Sequence, residues 1–77
     1  MFFTDKKIKF TVTGMHCNHC KASVEKAALG VAGVKSAVAD PKANSLIVKA
    51  DKSAGDELVS GVIAAVSNRG FKAELAD

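Results

Sequence analysis

Residues 8–14 read Ile-Lys-Phe-Thr-Val-Thr-Gly, so that apolar and polar side chains alternate along the chain up to a glycine. Alternation with a period of two is typical of a β-strand that buries one face and exposes the other. The outer positions carry threonine, a β-branched residue that favours strands. We therefore expect a first strand that stops at Gly14.

The elements on the C-terminal side of this strand are indicated by their own local patterns. From Lys21 onward, apolar residues recur at helical spacing until Gly30, which is a typical helix end. Residues 34–40 and 45–50 then read as two strands joined by a tight turn at Pro41–Asn44. The chain thus continues with a helix and a β-hairpin.

A second helix and a short last strand complete the prediction. The first turn of this helix carries Asp56 and Glu57, which suit the positive end of the helix dipole. The helix ends at Asn68-Arg69-Gly70, and residues 71–75 form the last strand. Its apolar stripe consists of Leu58, Val59, Val62, Ile63 and Val66.

The predicted order is βαββαβ, which is the ferredoxin-like arrangement of the α+β class. Because crossover connections are right-handed, both helices should cover one face of a four-stranded antiparallel sheet. The chain has 77 residues, of which 48% are hydrophobic and 25% charged, with one proline and six glycines. This is enough for one thin core, so we expect residues 1–77 to form a single domain.

Composition narrows the class of function. A core this thin leaves little room for a deep, water-excluding cleft, so we expect binding at the surface and no catalytic residues. The net charge of +3 is spread along the chain, and there are four phenylalanines but no tyrosine or tryptophan. Nucleic acid is therefore not an expected partner. No apolar stretch is long enough to insert into a membrane, and the charges of the N-terminus follow a very short apolar start, so we expect a cytoplasmic location.

The reactive groups are concentrated in residues 13–20, Thr-Gly-Met-His-Cys-Asn-His-Cys. In the predicted fold this segment links the first strand to the first helix, with Cys20 near the first helical turn. Backbone N–H groups and the helix dipole favour a thiolate there. Two neighbouring anionic sulfurs suit a soft d¹⁰ cation such as Cu(I). A structural zinc site would require a second pair of ligands, which the chain lacks. Metal binding, dithiol redox exchange and two inert cysteines all stay open at this point.

The pattern Gly14-Met15-x-Cys17-x-x-Cys20 resembles the signature of heavy-metal-associated domains. Such domains occur as copper chaperones of the CopZ and Atx1 types and as N-terminal domains of copper-pumping P-type ATPases. Gly33-Val34 and Gly70-Phe71 resemble further positions of the family, whose fold is also βαββαβ. The resemblance covers nearly the whole chain, and it implies one heavy-metal-associated domain over residues 1–77.

The resemblance implies that Cys17 and Cys20 bind Cu(I) as a nearly linear bis-thiolate. It further implies a soluble metallochaperone that passes the ion by ligand exchange to the metal-binding domain of a copper-transporting P-type ATPase. Zinc-exporting relatives tend to carry aspartate before the first cysteine, where this chain has His16, so Cu(I) is preferred, and zinc or another soft metal stays open. An ATPase domain and a dithiol redox protein are the alternatives. We expect a monomer without metal, with a metal-bridged homodimer as an open alternative.

The residues around the cysteines have expected roles of their own. Gly14 should serve backbone geometry, through a positive φ or a close approach. Met15 should turn into the core rather than bind metal. His16 and His19 are either third ligands or solvated side chains, and tuning of thiolate protonation or of metal-bridged dimerisation is a further alternative for His19.

Four more positions are expected near the metal loop. The resemblance implies that Phe71 occupies a position where many bacterial chaperones carry tyrosine, eukaryotic chaperones carry lysine and ATPase domains often carry phenylalanine. We expect Phe71 to cover the apolar underside of the loop. Lys21, Lys26 and Lys72 either favour an acidic docking partner or are simply solvated.

Overall fold

The computed structural model describes residues 5–16, 18–51 and 54–76. The predicted order βαββαβ is confirmed in this part of the chain. The first helix begins at Asn18, three residues before the predicted start, so that Cys20 lies within its first turn. The elements are β1 (Asp5–Thr13), α1 (Asn18–Leu29), β2 (Val34–Asp40), β3 (Ser45–Asp51), α2 (Asp56–Ser67) and β4 (Lys72–Leu75).

The four strands form one antiparallel sheet in the order β2-β3-β1-β4. The first strand is therefore central, with Phe10 opposite Leu46 on β3 and opposite Leu75 on β4. The turn Pro41–Asn44 joins β2 to β3, as predicted. A register shift between Val34 and Ser36 interrupts the pairing of these two strands near the start of β2.

Both helices cover the same face of the sheet. Phe10 and Val48 point to that face and are fully buried, whereas Lys9 and Lys49 on the same two strands are exposed. This is the alternation that the sequence of β1 predicts. The largest fully buried side chains come from β1, β3 and both helices, and they form one cluster: Phe10, Val12, Val24, Leu46, Val48, Val62 and Val66. The predicted ferredoxin-like architecture is therefore confirmed.

The loop that follows β1 is held at one end of the sheet by its neighbours. The backbone N–H of Val12 donates to the carbonyl oxygen of Asn44 at 2.8 Å, which joins the end of β1 to the β2–β3 turn. Phe71, between α2 and β4, lies beside Gly14. Three connections thus meet at the end of β1: the β2–β3 turn, the α2–β4 connection and the start of the β1–α1 loop. Within the described ranges, neither helix combines the length and the apolar character that crossing a membrane requires.

Candidate metal-binding site

Gly14 makes the bend between β1 and the cysteine segment. Its φ is +99°, in the left-handed region that residues with a Cβ rarely adopt. A Cβ built there would lie 3.5 Å from Cδ1 of Phe71, which is an ordinary van der Waals distance. Of the two expected reasons for a glycine, the positive φ is therefore the one that applies.

Met15 anchors the loop in the core. Its side chain is 5% exposed and belongs to the same apolar cluster as Phe10 and Val12. The expectation that it turns inward is confirmed. The buried side chain of Met15 fixes the backbone of the loop against the core, whereas the next residue, His16, is exposed. The loop therefore has one anchored position, two residues before Cys17 in the sequence.

A test of this role is the variant Met15→Leu. Leucine has nearly the same volume and no sulfur, so we expect a loss of less than about 1.5 kcal/mol in the free energy of unfolding. Affinity for Cu(I) should stay within about threefold of the parent, because the thioether faces the core and not the metal. Urea denaturation and chelator competition measure the two quantities. A large loss of affinity with an unchanged fold would make Met15 a ligand.

Cys20 lies at the N-terminal end of α1. The residue is half-buried and packs against the apolar core cluster. In the first turn of a helix the backbone N–H groups lack intrahelical acceptors and favour an anion. Cys17 lies outside the described residues, and its role as a ligand stays a prediction. The half of the site that is described thus places Cys20 in the first turn of α1, at the boundary of the core.

The histidines next to the cysteines are both exposed. His16 ends the described segment before Cys17, and His19 lies in the first turn of α1. Over residues 5–16, 18–51 and 54–76, no group of three or more His, Cys, Asp and Glu side chains is placed to hold a metal ion. A metal role for either histidine remains a prediction.

Phe71 lies against the inner side of the loop. It is half-buried, packs against the core cluster and approaches Gly14. These contacts support the expectation that it covers the apolar underside of the metal loop. The Phe71 ring therefore covers the core at the end of the sheet where the β1–α1 loop begins.

The lysines predicted near the site differ in their surroundings. Lys21 is half-buried directly after Cys20, whereas Lys26 is exposed in the last turn of α1. Lys72 is exposed and lies 3.9 Å from the carboxylate of Glu74, a contact that contributes little to stability. Lys21 is therefore the member of the three that adjoins the cysteine motif.

Arg69 is a neighbour of the site that the sequence did not indicate. Its Nη1 donates to Oγ of Ser23 at 3.3 Å, which links the loop after α2 to α1. Ser23 is one helical turn from Cys20 and lies on the same side of the helix. In the sequence, Asn68-Arg69-Gly70 predicts a helix end. No neighbouring residue indicates that Arg69 makes a tertiary contact instead of being solvated.

Residues 9–72 match the sequence profile of the heavy-metal-associated domain. This chain belongs to that family. It is 33% identical over 69 residues to the copper chaperone CopZ of Enterococcus hirae, covering 90% of this chain and 97% of that protein. Membership of the heavy-metal-associated family agrees with the resemblance that Gly14, Met15 and Cys20 carry in the sequence.

Solved structures of the family have the same fold. A CopZ metallochaperone superposes with a TM-score of 0.79 at 30% identity, covering 90% of this chain and 100% of that one. A copper-binding domain from HMA7, a P-type ATPase, gives a TM-score of 0.78 at 32% identity, covering 92% and 93%. This heavy-metal-associated domain is thus similar both to a metallochaperone and to a copper-binding domain of a P-type ATPase.

Proposed function

We propose that this heavy-metal-associated domain binds Cu(I) through Cys17 and Cys20 and passes it to a partner protein by thiolate ligand exchange. The observation that carries the proposal is the position of Cys20, half-buried in the first turn of α1 behind a loop that Met15 anchors. The similarity to the copper chaperone CopZ supports the choice of metal. In this proposal, residues 1–77 act as a single metal-binding domain without enzymatic activity.

The chemistry follows from the donor set. Two thiolates satisfy a soft monovalent ion, and a surface site with two protein ligands leaves the ion open to a third. An incoming thiolate bonds to Cu(I) before one of the two original copper–sulfur bonds breaks. Copper keeps its +1 charge throughout, and the released sulfur leaves with its electron pair. No free ion is needed at any step.

The partner in this proposal is the metal-binding domain of a copper-transporting P-type ATPase. The similarity to the copper-binding domain of HMA7, a P-type ATPase, supports it, because donor and acceptor would share one fold and present matching loops. We place the exchange in the cytoplasm, where thiols stay reduced. The protein is a monomer without metal, and sedimentation with and without Cu(I) tests whether the loaded form dimerises.

A second candidate function is that of one metal-binding domain within a longer copper-transporting ATPase. The 32% identity to the HMA7 domain is nearly as high as the 33% identity to CopZ, and Phe71 occupies the position where ATPase domains often carry phenylalanine. Both candidates require the same metal site. Sequencing the gene beyond both ends of this chain distinguishes them.

The experiment that tests the metal site is an anaerobic titration of the reduced protein with Cu(I) and, separately, with Zn²⁺ in the presence of competing chelators. We expect one Cu(I) per monomer, held more tightly than Zn²⁺ by at least a hundredfold, since sulfur ligands select Cu(I). Preference for Zn²⁺ would contradict the proposal and indicate His16 or His19 as ligands. Tight binding of neither ion would favour dithiol redox exchange.

A further inference from the structure

The strand β2 forms one edge of the sheet, since the strand order is β2-β3-β1-β4. One side of β2 pairs with β3, with Val38 opposite Ile47 and Ala39 opposite Leu46. In an antiparallel ladder, every second residue of an edge strand directs its N–H and C=O away from the neighbouring strand. Such an edge pairs with a further strand unless the fold covers it.

Glu25 of α1 covers the middle of this edge. The backbone N–H of Ala39 donates to Oε2 of Glu25 at 2.8 Å, so this N–H is not used in the ladder with β3. By the alternation along the strand, Ala37 also directs its N–H and C=O outward. The regular part of the edge is short, because a register shift lies near the start of β2 and a proline directly follows its end. Glu25 thus occupies one of the few backbone donors that the edge offers.

The open face of the sheet is apolar beside this edge. Val38 is 59% exposed on the side that the helices do not cover, and Ile47 beside it on β3 is 38% exposed. Single exposed apolar side chains are common on protein surfaces. Here two of them are adjacent and lie next to a strand edge, so a strand added to β2 would cover Val38.

The strand β2 is complementary to a second copy of itself. In an antiparallel pair centred on Val38, the two Val38 side chains lie opposite each other, and Ala37 of one copy lies opposite Ala39 of the other. Each of the two Ala37–Ala39 pairs then forms two backbone hydrogen bonds. Ser36 lies opposite Asp40, so no like charges are paired directly. The arrangement has the two-fold symmetry of an interface between identical chains.

We propose that the β2 edge is an interface for a second copy of this chain and that Glu25 keeps this interface closed in the monomer. Pairing requires the N–H of Ala39 in both copies, and Glu25 holds each of them. Because residues that lie opposite each other share a face of the joint sheet, α1 of both copies would lie on the same side. The two Glu25 carboxylates would then meet with like charge. A change that removes the carboxylate therefore opens the edge, with or without metal.

The first test is the oligomeric state of the metal-free protein with a reductant present, which excludes metal-bridged and disulfide-linked dimers. In sedimentation equilibrium the parent should be monomeric. Glu25→Ala should show a monomer–dimer equilibrium, with an association constant at least tenfold larger than that of the parent. The control Lys26→Ala removes the next charged side chain of α1, which is exposed, and should behave like the parent. Glu25→Gln keeps an oxygen that accepts the N–H of Ala39 and should dimerise less than Glu25→Ala.

A second variant tests whether the dimer forms through β2. In Glu25→Ala/Val38→Lys, two ammonium groups would lie opposite each other at the two-fold axis, so this variant should return to the monomer. The matched control is Glu25→Ala/Leu75→Lys, because Leu75 is a 52% exposed apolar side chain on β4, the other edge strand. The control should still dimerise. Circular dichroism should show the fold of the parent in all of these variants. A dimer that survives Val38→Lys would overturn pairing through β2.

Hydrogen exchange of the Ala39 amide gives a readout that does not depend on dimer formation. The amide should be protected in the parent, where Glu25 accepts its hydrogen bond. In Glu25→Ala at low protein concentration it should exchange at least tenfold faster, and its protection should return as the concentration rises. Continued protection in the monomeric variant would show that Glu25 does not hold this donor. A variant that exchanges freely and stays monomeric at high concentration would equally refute the proposal.

Discussion

The variant Cys20→Ser should lose more than about a hundredfold in Cu(I) affinity, and Cys17→Ser should lose as much. A serine hydroxyl is a neutral, hard oxygen, so each variant leaves the soft ion with one thiolate instead of two. A loss of this size exceeds the 10–100-fold that is typical when a residue only orients a ligand. Chelator competition under anaerobic conditions measures it. If either variant binds as tightly as the parent, the assignment of that cysteine is wrong.

The fold should survive both substitutions. Cys20 is half-buried at the edge of the core, and serine is nearly isosteric, so we expect the free energy of unfolding to fall by about 1 kcal/mol. The control is His19→Ala, which removes an exposed potential ligand from between the two cysteines. Its Cu(I) affinity should stay within about threefold of the parent. A loss equal to that of Cys20→Ser would identify His19 as a third ligand.

The fold was predictable from the sequence because its signals are local. The alternation in residues 8–13 and the turn Pro41–Asn44 between two strands both depend on neighbouring residues alone. The start of α1 was predicted too late for a physical reason. Its first turn consists of Asn18, His19 and Cys20, which carry the metal motif and no apolar stripe, so helical periodicity becomes visible only further along.

The site was predictable in part. Burial of Met15 follows from its apolar character next to a polar loop, and the structure confirms it. The proximity of Lys21 to the segment Asp40–Lys42 was not predictable, since the packing of α1 on the sheet brings them together. The contact of Arg69 with Ser23 joins residues 46 positions apart and has the same origin. Sequence patterns identify reactive groups, and tertiary packing decides which of them share a surface.

The second large effect is expected from Phe10→Ala. Phe10 is fully buried on the central strand, between Leu46 and Leu75 of the neighbouring strands. Removing a buried phenylalanine costs about 3–5 kcal/mol, and a chain of this length has about 4–12 kcal/mol of stability in total. The metal-free variant should therefore lose a large part of its stability, and thermal denaturation should show a midpoint far below that of the parent. Phe10→Leu fills more of the space and should cost less.

Cu(I) should raise the stability of the Phe10→Ala variant if the metal binds to the native state. Ligand that binds the native state stabilises it by RT ln(1 + [L]/Kd), which is about 2.7 kcal/mol at a free concentration a hundred times Kd. Because the two cysteines are close in sequence, binding to the unfolded chain makes the observed shift smaller than this limit. The thermal midpoint of Phe10→Ala should still rise with Cu(I), and that of Phe10→Ala/Cys20→Ser should not. Equal shifts in both variants would mean that the ion stabilises the protein at a site other than the cysteine pair, because the second variant lacks one of its two sulfurs.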